Sequence, residues 1–161
     1  MRERKMLAEK AVEEFCGLDV LVNNAGIMWQ GLFTDMTQQE WQDIFNVNVT
    51  GSAMLTKEIL PHMISRKQGT IINVASVWGE LGASTEVAYS ASKAAIIGFS
   101  KALAKELEPS GISVHYIAPG AVATDMLSKY SEQELIEIEK KFGKILTPDE
   151  IGQSILHCLD N

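Results

Sequence analysis

Three short apolar runs constrain the fold of this chain most: "LDVLVNNAG" at 18–26, "GTIINVAS" at 69–76 and "ISVHYIAPG" at 112–120. They read as apolar runs without sustained alternation, although Ser113 and His115 interrupt the third. A strand that is apolar on both sides needs cover on both faces, the signature of a buried parallel strand. Helical patterns lie between the runs, and parallel strands need such crossovers. The expected fold is therefore α/β: a three-stranded parallel sheet with flanking helices.

The helical stretches carry their own signals. Residues 3–15 place Ala8, Ala11, Val12 and Phe15 on one face, and Gly17 stops the helix. Thr37-Gln38-Gln39-Glu40 is a capping box. It opens a helix over 38–65 with Trp41, Ile44, Phe45 and Asn48 on one side. A further helix covers 87–108 and stops at Pro109-Ser110-Gly111. A short charged helix spans 131–141, with Ser131 and Glu134 as its capping box. Thr147, Pro148 and Glu150 start a last helix that turns Ile151, Ile155, Cys158 and Leu159 inward.

Composition removes several function classes. The formal net charge is −7, and no Lys/Arg cluster makes a basic face, so neither nucleic acid nor an anionic membrane is an expected partner. No apolar run reaches transmembrane length. The charged start is neither a signal peptide nor a transit peptide. Cys16 and Cys158 lie far apart without metal-ligand spacing. They read as two free thiols in a reducing, cytoplasmic setting. His62, His115 and His157 are scattered, so a metal site is not expected. His115 reads as local packing, and Trp41 and Phe45 as packing residues.

Ligands of open parallel sheets bind outside the carboxyl ends of the strands. Here those ends carry Asn23-Asn24-Ala25-Gly26, Ser76 and Pro119-Gly120. Turns need such residues anyway, but all three ends together suit a ligand lying close to the backbone. The next helix begins with Tyr89, and Lys93 follows four residues later on the same face. Alone, that pair reads as a solvated surface pair. Beside Ser76 it reads as a proton donor whose pKa the lysine lowers.

Ser76, Tyr89-x-x-x-Lys93, Asn24-Ala25-Gly26, Asn48-Val49-Thr50-Gly51 and the run 119–124 occur in an order that resembles the short-chain dehydrogenase/reductase family. The resemblance covers essentially the whole chain. It is similar to bacterial 3-oxoacyl-carrier-protein reductases and their paralogues. The stretch "GASTEVAYSASKAA" also resembles a paralogue that reduces a 5-aminopentanone group on elongation factor P. The resemblance implies a partial Rossmann-like sheet made of family strands four, five and six. It implies NAD(P)H-dependent reduction of a ketone, 3-oxoacyl-thioester-like, with NADP favoured over NAD.

It also implies residue roles. Tyr89 gives a proton to the carbonyl oxygen. Lys93 lowers the tyrosine pKa and holds the nicotinamide ribose. Ser76 orients the carbonyl, and Asn48 anchors a water that links Lys93 to solvent. Asn24, Ala25 and Gly26 line the cofactor cleft, and Pro119, Gly120, Val122 and Thr124 wall its nicotinamide side. Met126, Leu127 and Tyr130 belong either to a substrate lid or to a solvated helix. The helices at 38–65 and 87–108 are the expected contacts of a homo-oligomer.

The family's Gly-x-x-x-Gly-x-Gly phosphate turn has no counterpart among the twelve glycines here. Residues 1–161 therefore read as the C-terminal catalytic portion of a single domain, its N-terminal cofactor-binding half absent and the chain alone inactive. Three readings stay open: a fragment or shortened product of a reductase, a half that pairs with a separate phosphate-binding piece, and a non-catalytic oligomerising module. The exposed edge of the first strand is a pairing hazard in each.

Overall fold

A computed structural model of the chain describes residues 2–15 and 17–159. The three runs form strands β1 (Val20–Asn23), β2 (Gly69–Val74) and β3 (Ile112–Ile117) in one parallel sheet of order β1-β2-β3. This is the expected Rossmann-like α/β architecture. Leu21, Ile71 and Val114 stand in register across it. They face helices α1 (Arg2–Glu14), α3 (Ser52–Arg66) and α5 (Val87–Leu107). Ala8, Ile59, Met63, Leu103, Leu107 and Ile112 complete that core.

Cover on the second face is incomplete. Ile72 is fully buried, but Val20 and Val22 of β1 are 38% and 39% exposed. β1 is the sheet edge, so neighbours cover its second face from one side only.

A buried polar seam runs under α5. The Asn23 side chain donates to Asn73 Oδ1 at 2.8 Å and to Thr56 Oγ1 at 3.0 Å, and Asn73 donates to Ser100 Oγ at 2.8 Å. The side-chain amides of Asn23 and Asn73 thus find partners, which is the condition for burying them.

Two expectations about helices need correction. The helix over 38–65 is continuous but not α-helical throughout. It runs as α2 (Gln38–Phe45), then a π-helical turn (Asn46–Gly51), then α3. The sequence Asn46-Val47-Asn48-Val49-Thr50-Gly51 consists of poor α-formers. The Asn48 side chain is also tied outside the helix, as described below. The other correction concerns helix ends. Phe15 lies beyond the last residue of α1 and is 68% exposed. Leu159 lies beyond α7 (Pro148–His157) and is 41% exposed. Periodicity holds a side chain on a face only while the helix continues.

The three capping boxes form at Thr37/Glu40, Ser131/Glu134 and Thr147/Glu150, opening α2, α6 (Glu132–Phe142) and α7. Cys158 is a free, partly buried thiol, while Cys16 lies outside the described residues. Among the described residues, no helix is long and apolar enough to cross a membrane, and no cluster of His, Cys, Asp or Glu could hold a metal ion.

Candidate active site

The carboxyl ends of the three strands open into one cleft of about 760 Å³. The turn after β1 brings Asn24, Ala25 and Gly26 to its wall. The end of β2 brings Ser76, and the segment after β3 brings Pro119, Gly120, Val122 and Thr124. The first turns of α5 bring Tyr89 and Lys93. Residues spread over a hundred positions thus meet because parallel strands put their carboxyl ends on one side.

Lys93 is 4% exposed and Tyr89 is 8% exposed. The surface-pair reading of these two residues is therefore wrong. Lys93 Nζ donates to the Val74 carbonyl at 2.8 Å and stands over the Tyr89 ring, 5.6 Å from its centre. Burial lowers the Lys93 pKa from 10.5 to about 8.

The Tyr89 pKa moves opposite to the expectation. Burial raises it above 10.0, hydrogen bonding by Ser76 pulls it down, and the Glu86 carboxylate raises it again. Desolvation of a phenolate outweighs the help of one hydroxyl. The lysine charge, held on the Val74 carbonyl, does not bring the phenol down.

Asn48 lies behind the wall rather than in it, 1% exposed. Its Oδ1 accepts from the Ile27 amide at 2.8 Å, and its Nδ2 donates to the Ile27 carbonyl at 2.9 Å and to Ser92 Oγ at 2.9 Å. Those bonds clamp the loop after β1 to the π-helical turn. They hold Gly26 where a Cβ would stand 3.4 Å from Lys93 Nζ and 3.5 Å from Asn48 Oδ1. The glycine keeps this cradle open.

The sequence reading missed Glu86 and Trp78. Both line the cleft. Glu86 is 3% exposed, accepts a hydrogen bond from the Tyr130 hydroxyl on Oε1, and has no partner on Oε2. Burial raises its pKa, the Tyr130 bond opposes that, and Glu134 adds to it. The one signal for Glu86 was its place three residues before Tyr89, on the same face of the helix start. Met126, Leu127 and Tyr130 also line the cleft, on a 3₁₀ segment (Asp125–Lys129) and the residue after it. α7 supplies Pro148, Ile151, Gly152 and Ile155.

Fold and cleft together define a Rossmann-like α/β domain with a cleft at its strand ends. The short-chain dehydrogenase family profile matches residues 1–135, and the chain belongs to that family. It is 39% identical to a 3-oxoacyl-(acyl-carrier-protein) reductase of Aquifex aeolicus, over 96% of this chain and 66% of that protein. It is 44% identical to the uncharacterized oxidoreductase YmfI of Bacillus subtilis, over 88% of this chain and 60% of that protein. Among solved structures, a short-chain dehydrogenase from Streptomyces avermitilis superposes with a TM-score of 0.74 at 38% identity, over 78% of this chain and 46% of that one. The chain thus spans less than two thirds of the length of these relatives.

Proposed function

We propose that residues 1–161 are the C-terminal catalytic portion of a single-domain carbonyl reductase that uses NADPH or NADH. The observation that carries this is the meeting of Ser76, Tyr89 and Lys93 in one cleft, with tyrosine and lysine buried. A nicotinamide, when bound, supplies the hydride. The residues fit its ribose end: the Gly26 cradle admits close approach beside Lys93, and small residues at 119–124 wall the other side.

The raised pKa keeps the Tyr89 phenol protonated at neutral pH, which is the form a proton donor needs. Ser76 holds the carbonyl oxygen against the phenol. As the carbonyl carbon accepts hydride, the phenol O–H passes its proton to the developing alkoxide. Lys93, protonated at neutral pH, returns a proton to the phenolate. Asn48, its side chain taken up by Ile27 and Ser92, supports this site by holding the loop after β1 beside Lys93.

A ketone of the 3-oxoacyl-thioester kind is the substrate, supported by the reductase name of the Aquifex relative. The same chemistry serves the 5-aminopentanone group. NADP is the preferred cofactor by resemblance, and the protein works in the cytoplasm. Exposed Val47 and Met54, near the join of the π-helical turn and α3, support a homo-oligomer through the helices at 38–65 and 87–108.

The test is thioester-ketone reduction, followed by NADPH absorbance, in this chain and in its reading frame extended upstream. Tyr89→Phe abolishes turnover while leaving cofactor affinity largely intact, and Lys93→Ala impairs both. In the extended protein, equal turnover above background in wild type and Tyr89→Phe would end this mechanism.

A further inference from the structure

The stretch between β3 and α7 leaves the body of the fold and returns to it at one place. The Leu146 amide donates to the Ala121 carbonyl at 2.8 Å, and the Leu146 carbonyl accepts from the Ala123 amide at 2.8 Å, so the base of residues 124–145 is pinned. Beyond that base, α6 buries none of its residues, and a second cavity of about 800 Å³ lies between it and the 82–86 turn. The 125–130 part is held by its own turns. The Leu127 amide donates to the Thr124 carbonyl at 2.9 Å, and the Tyr130 amide to the Leu127 carbonyl at 3.0 Å. A segment that buries so little and is tied at its base opens locally at low cost.

Two contacts hold it down. Phe142, at the end of α6, meets the Trp78 ring edge-on with 5.0 Å between centres, and Lys141 stands over the same ring. At the other end of α6 the Tyr130 hydroxyl donates to Glu86 Oε1, and Trp78 also hydrogen-bonds that hydroxyl. The acceptor is fixed to the body. Thr85, just before Glu86, takes a left-handed φ of 63°, strained for a β-branched residue, and its carbonyl accepts from the Gly31 amide at 2.9 Å. Glu86 itself is buried, yet its Oε2 has no hydrogen-bond partner among the described residues. A buried carboxylate needs donors. Tyr130 supplies one while the segment lies down, and water supplies them when it lifts, so neither position strands the charge. Glu86, Tyr130, Trp78 and Ile138 line both the cleft and the second cavity, which puts the bond in the wall between them.

We propose that residues 124–145 are a flap hinged beside Leu146 and that the Tyr130–Glu86 hydrogen bond is its latch. With the latch made, the cleft and the cavity under α6 are two chambers. With it broken, the flap lifts and the two join, which opens a way to Ser76, Tyr89 and Lys93 from the α6 side. Glu86 acts through Tyr130 and is a positioning residue. The latch goes beyond the carbonyl-reductase reading and does not depend on it, because it governs access to the cleft whatever the cleft binds.

Amide hydrogen exchange of the ¹⁵N-labelled chain reads the latch without turnover. Tyr130→Phe keeps the ring and removes the donor. Exchange at Leu127 and at Leu135, whose amide donates to the Ser131 carbonyl, should quicken roughly ten- to a hundredfold, the range of one hydrogen bond to a charged group. Ile72 and Asn73 of β2 should keep their wild-type rates. Glu86→Leu should quicken the same two flap amides and add nothing once Tyr130→Phe is present. Glu86→Gln keeps an acceptor oxygen and should recover part of the protection that Glu86→Leu loses. Wild-type rates at Leu127 and Leu135 in Tyr130→Phe overturn the proposal, and so do amides already unprotected there in the wild type. Equal acceleration in β2 overturns it too, since the bond would then support the whole fold rather than a flap. Additive effects of Tyr130→Phe and Glu86→Leu, or no recovery in Glu86→Gln, would remove Glu86 from the latch. If Glu86→Leu does not fold, the Tyr130→Phe rates decide alone.

Discussion

Lys93 Nζ stands 5.6 Å from the centre of the Tyr89 ring while its hydrogen bond goes to the Val74 carbonyl, so the lysine is fixed to β2 beneath the phenol. Its ammonium is held by the sheet as much as by the helix that carries it. That attachment links the site's chemistry to the stability of the fold.

The linkage is measurable. Folding lowers the Lys93 pKa from 10.5 to about 8. Between those values the unfolded chain keeps a proton that the folded chain has released, so stability rises with pH over that window. Below about 8 the full cost of the buried ammonium is present. The effect amounts to roughly 3 kcal/mol between neutral pH and the top of the window. Lys93→Met should lack it, so urea unfolding of wild type and variant should diverge as pH rises. Parallel pH profiles would show that Lys93 is not desolvated as described.

Asn48→Ala removes the acceptor for the Ile27 amide and the donor to the Ile27 carbonyl and Ser92. Each polar group left unpaired in a buried place costs about 1–3 kcal/mol. A loss of roughly 2–5 kcal/mol in denaturant unfolding is expected. Amide exchange should quicken at Ile27 and Gly26 before it does so in β2. A variant within experimental error of wild type would mean that the loop after β1 is held by something else.

Gly79 sits in α4 (Trp78–Leu81), where a Cβ would lie 2.7 Å from the Lys93 carbonyl carbon and 2.8 Å from the Ala94 nitrogen. Backbone atoms cannot yield as a side-chain tip can. Gly79→Ala should push α4 off α5, destabilise by about 1–3 kcal/mol, and shift Ser76, which leads into α4. Thermal unfolding and the Ser76 and Trp78 NMR resonances report both effects. An unperturbed Ser76 would uncouple the α4–α5 contact from the site.

Residues 1–161 should bind NADPH and NADH weakly. The cleft offers Lys93 to a ribose, but none of the twelve glycines is spaced as a phosphate turn, and the net charge of −7 opposes an anion. Several charge-assisted hydrogen bonds of about 1.5–3 kcal/mol each are missing. Titration calorimetry should detect no useful affinity. A micromolar dissociation constant would show that another surface supplies the phosphate contacts, and a partner or second copy would then be sought.

Much of this protein was legible in its residues taken in order. Apolar runs at 18–26, 69–76 and 112–120 with helical patterns between them pointed to a parallel sheet, although Ser113 and His115 alternate with apolar residues and β1 is covered on one face only. Ser/Thr and Glu at fixed spacing dictated the three helix starts, because capping is local. Ser76, Tyr89, Lys93 and the small residues at the strand ends could be grouped because parallel topology itself puts them on one side.

Tertiary structure decided what depends on packing between distant segments. The π-helical turn at Asn46–Gly51 exists where Asn48 reaches across to Ile27 and Ser92, a bond invisible from either segment alone. The rise of the Tyr89 pKa follows from burial and from Glu86, whereas sequence spacing pointed to Lys93 and to a fall. Glu86 reads in sequence as an ordinary helix-start acid. In the structure it is a buried carboxylate, bonded by the Tyr130 hydroxyl on one oxygen and unpaired on the other. Spacing along a chain tells which face a residue shares with its neighbours. What desolvates that residue, and what charge stands opposite, is set by elements far away in sequence, and those two quantities govern how it titrates and what it binds.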